Sequence, residues 1–139
     1  DSHRRQRQMC IRDRCKNIHG HSYQLEVTVQ GKPITDKNNP KYGMVIDFSD
    51  LKEIVKKEII DEFDHATVFN GKSPHLELAN TLKSKGHKII TVNYQPTCEE
   101  MIIDFARKIN SRLPSEIKLY KLKLHETATS FAEWYASDQ

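Results

Sequence analysis

His19 and His21 stand one residue apart at the head of an alternating run, and that spacing is the first feature of this chain that could do chemistry. From His19 the odd positions read His19, His21, Tyr23, Leu25, Val27 and Val29, while the even positions from Ser22 to Gln30 are Ser, Gln, Glu, Thr and Gln. Strict period-2 alternation predicts a strand with one apolar face. Residues two apart on a strand project to the same side, about 7 Å from each other. Two neutral imidazoles so placed suit a tetrahedral Zn2+. Cys15, four residues upstream, is then either a further ligand or a thiolate poised beside the metal. The same residues also read as a turn with two surface histidines, and the spacing alone leaves both readings open.

Two other positions carry candidate chemistry. Asp64-His65 pairs a group that titrates near neutrality with a carboxylate able to hold its tautomer, the raw material of acid-base catalysis, although the dipeptide is common. Glu126 ends the row Tyr120, Leu122, Leu124, Glu126, which faces opposite to Lys121, Lys123 and His125 and is predicted to point inward. A carboxylate in that row needs a partner or a ligand to offset its desolvation. It is therefore a site candidate, with a salt bridge to a nearby Lys or Arg as the alternative.

The elements that must position these residues follow from periodicity. After the first strand, the turn-rich stretch from Gly31 to Gly43 leads to an apolar strand at Met44-Val45-Ile46. Asp47-Phe48-Ser49 supplies N-cap candidates for an amphipathic helix with the stripe Leu51, Ile54, Val55, Ile59, Phe63. Ser73-Pro74 opens a short helix carrying Leu76, Ala79 and Leu82 and ending near Gly86, and Lys88 to Tyr94 reads as a brief strand. Pro96-Thr97-Cys98-Glu99-Glu100 fits a capping box, with a helix behind it that buries Met101, Ile102, Phe105 and Ile109 and stops before Pro114. Phe131 to Tyr135 extends the last strand as an edge, with Trp134 and Tyr135 as packing residues. The expected class is α+β, a four-stranded antiparallel sheet with helices packed on one face. Its other face then needs covering, which predicts a homo-oligomer.

Composition narrows the function classes. A chain of 139 residues with 37% apolar residues is long enough for one domain with its own core. No apolar run approaches the ~20 residues of a membrane span and no signal-peptide pattern appears, so the expected compartment is cytoplasmic, without membrane contact. Cys10, Cys15 and Cys98 have no framework spacing, which argues against disulfides as the stabilising device. Five Arg against two Asp in residues 1–14 account for the whole formal charge of +3, leaving 17 basic and 17 acidic residues elsewhere. The neutral body does not support nucleic-acid binding. Residues 1–14 show neither helical nor strand periodicity and read as a foreign segment, similar to a translated sequencing adapter, so that residues 15–139 are the domain; a genuine basic arm is the competing reading.

With these residues in view, the chain resembles the 6-pyruvoyl-tetrahydropterin synthase / 6-carboxytetrahydropterin synthase family. The likeness rests on Cys15-x-x-x-His19-Gly-His21-x-Tyr23, Gly43-Met-Val-Ile-Asp47-Phe48-x-x-Leu51-Lys52, Asp64-His65 with Asn70, Pro96-Thr97-x-Glu99, and Glu126-Thr127, in that order from Cys15 to the C-terminal part. The resemblance implies a tunnelling fold in which subunits join edge to edge, as trimers or hexamers, with active sites between them. The three residues between Cys15 and His19 are similar to the 6-carboxytetrahydropterin synthase branch, which implies a zinc-dependent carbon-carbon lyase of queuosine biosynthesis. Its small-molecule substrate would be 7,8-dihydroneopterin triphosphate and its product 6-carboxy-5,6,7,8-tetrahydropterin, with acetaldehyde and triphosphate released.

By the same resemblance His19 and His21 hold Zn2+, Cys15 and His65 move protons, Asp64 orients His65, and Glu126 receives the pterin's N–H groups with Thr97 and Glu99 in support. The family takes a third zinc histidine from a strand ahead of the cysteine. This sequence offers only His3, in unlike surroundings, so the role is not carried to it and the domain is expected to lack its first strand. The pyruvoyl-forming enzyme and a non-catalytic pterin-binding subunit are the alternatives; intact Cys15, His65 and Glu126 speak against the second.

Overall fold

Aliphatic residues alternate with polar ones along Ser22–Gly31 and recur along Lys118–His125, and these two runs make the centre of the sheet. The computed structural model describes residues 22–64, 66–72, 76–127 and 129–139, with the backbone alone for 5–14; the expectations for Cys15, His19, His21, His65 and Ser73-Pro74 lie outside the described residues. In chain order the elements are β1 (Arg5–Arg14), β2 (Ser22–Gly31), α1 (Phe48–Val55), a π-helical turn (Lys56–Ile60), α2 (Asp61–Phe63), β3 (Thr67–Asn70) and α3 (Leu76–Ser84). Then come β4 (Ile89–Val92), α4 (Cys98–Asn110), β5 (Lys118–His125), β6 (Phe131–Tyr135) and a closing 3-10 turn (Ala136–Asp138). An antiparallel sheet of order β1-β2-β5-β6 carries the fold, and β3 and β4 form a separate parallel pair.

The expected α+β class and the antiparallel sheet stand, but the membership of the sheet differs in four places, one being that Phe131–Tyr135 turns back to pair antiparallel with Lys118–His125 as β6 instead of extending it. Met44-Val45-Ile46 is not a strand. Both sides of β2 are already hydrogen-bonded, to β1 and to β5, so the loop closes on itself instead through Ile34 N–H to Met44 O (2.9 Å) and Gly43 N–H to Ile34 O (2.9 Å). Val45 and Ile46 still enter the core, which explains the apolar signal. The strand predicted near Lys88 to Tyr94 shortens to β4 and pairs with β3, an element absent from the sequence reading. Residues 5–14 form β1, in register with β2 from Arg5↔Gly31 to Arg14↔Ser22, where no strand was expected. A backbone ladder at a sheet edge needs no alternation of side chains, so periodicity was the wrong test for it.

One face of the sheet is covered as expected. Leu25, Val27 and Val29 of β2 and Leu119, Leu122 and Leu124 of β5 pack against the buried stripes of the α1–α2 run and of α4. Each such side chain, fully buried, stabilises the fold by about 1.5–3 kcal/mol. Alternation on β5 breaks at a bulge: Thr28 pairs with Lys121 and Val29 with Leu119, leaving Tyr120 as the extra residue. Leu119, not Tyr120, therefore takes the inward place.

The buried residues of the α1–α2 run are Leu51, Val55, Ile59 and Phe63, every one four positions from the last. On a regular α-helix each step of four overshoots the turn by about 40° and would carry Phe63 about 120° off the core side. The wider π turn absorbs that excess. The opposite sheet face is polar: Lys121 pairs with Glu133 (3.1 Å), His125 with Glu26 (2.8 Å), and the Lys123 ammonium lies 4.1 Å from the Phe131 ring centre.

Candidate active site

The sheet register sets Arg14, Ser22, Gln24 and His125 at one end of the sheet. β2 begins at Ser22, directly after the Cys15 to His21 segment; Ser22 pairs with Arg14, the residue before Cys15, and Gln24 pairs with His125, the residue before Glu126. The four residues Cys15, His19, His21 and His65 themselves are outside the described residues, and among those described no cluster of three or more His, Cys, Asp or Glu gathers.

α4 delivers a second group of residues to the same end. Its N-cap is Thr97, whose hydroxyl accepts from the Glu100 N–H (3.2 Å), the half of the predicted capping box that the structure contains. The Thr97 N–H itself goes to Gln95 O at 2.8 Å. Cys98, the first residue of α4, is half-buried and points its sulfur at the Leu124 carbonyl, 3.7 Å away. Burial first, then the charges of Glu126 and Glu99, push its thiol up to about 11. One neutral thiol therefore sits in the field of both carboxylates expected to bind ligand, at the seam between β5 and α4. Glu126 is partly buried, and its N–H donates to Ser130 O (2.9 Å), closing the turn into β6. Thr97 and Glu99 are exposed.

Asp64 arrives on a different element. The α1–α2 run lies antiparallel to α4, stepping from Glu58–Arg112 (3.2 Å) through Glu62–Lys108 (3.1 Å) to the edge-on rings of Phe63 and Phe105 (5.0 Å). Continuing that direction, Asp64 leaves α2 toward the N-terminal half of α4 with an extended backbone (φ −62°, ψ 126°). Between these helices Tyr94 donates to Asp104 (2.7 Å), which also receives Arg107 (2.6 Å) and lies near Lys108 (3.6 Å). Burial works to raise the Asp104 pKa, but the hydrogen bonds from Tyr94 and Arg107 and the charge of Lys108 outweigh it and hold the carboxyl below its usual value. Burial, reinforced by the Asp104 carboxylate, pushes the Tyr94 phenol up.

Sequence reasoning passed over Cys98 and the Tyr94–Asp104 pair. The first had a signal, its place between Thr97 and Glu99. The second had none, because ten residues separate partners that meet only after β4 and α4 fold together.

A family model described as 6-pyruvoyl tetrahydropterin synthase matches residues 2–137. The chain belongs to the 6-pyruvoyl tetrahydropterin synthase family. Within that family it is similar to the 6-carboxy-5,6,7,8-tetrahydropterin synthase of Haemophilus influenzae, 39% identical over 124 residues, which cover 87% of this chain and 84% of that protein. The protein of the same name from Aquifex aeolicus is 36% identical over 129 residues, covering 88% of this chain and 76% of that one. Among solved structures, an uncharacterized protein from Wolinella succinogenes shares the fold at a TM-score of 0.67 and 18% identity, covering 96% of each chain. The 6-pyruvoyl tetrahydropterin synthase of Caenorhabditis elegans does so at 0.56 and 20% identity, covering 96% of this chain and 93% of that one. The resemblance carried by the spaced motifs thus extends over the whole fold. Among the described residues no helix is long and apolar enough to cross a membrane.

Proposed function

We propose that this chain converts 7,8-dihydroneopterin triphosphate to 6-carboxy-5,6,7,8-tetrahydropterin, releasing acetaldehyde and triphosphate, as a cytoplasmic carbon-carbon lyase on the route to queuosine. The observation that carries this reading is the contact of Cys98, at the head of α4, with the Leu124 carbonyl (3.7 Å), which sets the helix N-terminus beside the strand end that leads into the partly buried Glu126. It supports a pocket whose acceptors face one small ligand rich in N–H donors. A partly buried carboxylate such as Glu126 accepts two N–H groups side by side from an amino-substituted ring, an arrangement that is strong and directional. Glu99 and Thr97 line the helix N-terminus beside it.

Catalytic work falls to Cys15 and to the Asp64-His65 pair. Cys15 takes and returns protons at the side-chain carbons, His65 exchanges protons with the same part of the substrate, and Asp64 holds the His65 tautomer. His19 and His21, immediately ahead of β2, have the donor chemistry that Zn2+ accepts, and they are the residues of this chain that would hold it. When bound, that ion supplies Lewis acidity to the substrate's hydroxyl oxygens. Homo-oligomerisation, as a trimer or hexamer, joins the open edges of β1 and β6 and sets sites between subunits.

Incubation with 7,8-dihydroneopterin triphosphate and analysis of the pterin formed tests this directly. The carboxy product together with acetaldehyde is expected. A 6-pyruvoyl product would move the chain to the other branch of the family, and ligand binding without turnover would make it a non-catalytic subunit.

A further inference from the structure

The helical run that carries Asp64 ends in carbonyls that no further turn of helix can satisfy. Ile60 O accepts from Asp64 N–H (2.8 Å) and Phe63 O from Ala66 N–H (3.1 Å). The carbonyls of Asp61 and Asp64 are taken by one side chain from a distant element: the Lys88 ammonium reaches both, at 2.9 and 2.7 Å. The main chain of the same lysine accepts from Thr67 N–H at 3.0 Å, the bond that opens the β3–β4 pairing. Lys88 therefore grips the chain upstream of residue 65 with its side chain and downstream of it with its backbone. A cation at a helix C-terminus is favoured by the helix dipole as well as by these bonds.

We infer that Lys88 is a positioning residue for Asp64, the carboxylate of the Asp64-His65 pair, fixing the chain on which that carboxylate stands. This rests on the catalytic reading of that pair given above. Lys88 is exposed, so carbonyls it releases can turn to water and the fold survives its loss. The orientation of that stretch of chain is what should suffer, and misplacement of a reacting group by about 1 Å can slow turnover on the order of 100-fold.

The test compares Lys88→Met, which keeps the aliphatic stem without its donors, with Lys88→Arg, which keeps donors, in the pterin-forming assay. Asp64→Asn serves as the reference. Lys88→Met is expected to lower kcat ~10- to 100-fold with KM within about 2-fold of the parent, and Lys88→Arg to recover most of the loss. Amide hydrogen exchange at residues 64–67 should quicken in Lys88→Met and not in Lys88→Arg. If Asp64→Asn abolishes turnover while Lys88→Met keeps parental kcat, or if exchange in that segment is unchanged, the positioning role is wrong and the catalytic reading stands. If Asp64→Asn turns over normally, or the parent chain forms no product, the catalytic reading itself fails and the positioning role goes with it.

Discussion

Glu126 and Asp104 are both carboxylates at a helix–sheet seam, yet their surroundings ask different things of them. Glu126 follows β5 in the turn toward β6, and its charge is felt by Cys98 across the seam. Glu126→Gln keeps the shape and removes the acceptor charge, so pterin affinity measured by calorimetry should fall by about 1.5–3 kcal/mol while the melting temperature hardly moves. Unchanged affinity would return Glu126 to a structural salt bridge. Asp104 is held by Tyr94, Arg107 and Lys108. Its folded pKa lies below the ordinary 3.8, so its stabilisation is present above that value and is lost as pH falls through the lower, folded one. Asp104→Asn should therefore cost about 1–2 kcal/mol at pH 7, and denaturation curves of variant and parent should converge only once the pH has fallen below the lowered folded value. A gap that persists at low pH would mean the cost is steric. Strand alternation is what singles out Glu126 in the sequence, because it assigns a face. Asp104 was not, because its partners are set by the packing of two helices and a strand that no local pattern relates.

At the scale of elements, legibility followed the strength of local periodicity. α1 and α4 announced themselves by stripes and caps, and Thr97 caps α4 as its spacing required. β3 and β4 were obscure because four-residue parallel strands depend on a partner remote in sequence. The π turn at Lys56–Ile60 did leave a trace, the unbroken four-residue spacing of Leu51, Val55, Ile59 and Phe63. Its role can be tested by removing one residue, Lys57, which would convert the wide turn to regular α-helix and change the spacing of the four buried residues from four, four, four to four, three, four. Such a run closes to within about 20° of three full turns, so Ile59 and Phe63 should keep the core side and Asp64 its direction. The shortened protein is expected to unfold in urea within about 1 kcal/mol of the parent and to keep its turnover. A loss of several kcal/mol would show that the wide turn does more than absorb the four-residue spacing.

At the scale of the whole molecule, the main sheet is open at β1 and at β6, and the strand at one of those edges comes from the segment whose sequence looked foreign. Family membership and fold were legible because motifs spread from Cys15 to Glu126 agree in order. What could not be read was the pairing of 5–14, since backbone hydrogen bonding leaves no side-chain signature. We propose that residues 5–14 fill the edge and that the segment supplies no third histidine ligand of the kind the family resemblance implies. A chain whose first strand is replaced by a native-like one bearing that histidine should then hold more zinc per subunit by metal analysis and sediment as a better-defined oligomer. Equal zinc and identical sedimentation would show that the present strand, with His3 or another group, is already sufficient.

The two edge strands are also the first and last strands of the described chain, so a tag or fluorescent reporter fused at either end would sit beside a pairing edge. Attached there, it would compete with neighbouring subunits and could report its own interference as a change in assembly. The loop between Ile34 and Gly43 is the better attachment point. It is pinned at its base by the Ile34–Gly43 and Ile34–Met44 hydrogen bonds, and it leaves β2 at Gly31, the end of the sheet away from Glu126. A dye carried at exposed Asn38 would follow the molecule while leaving both edges and the candidate site clear.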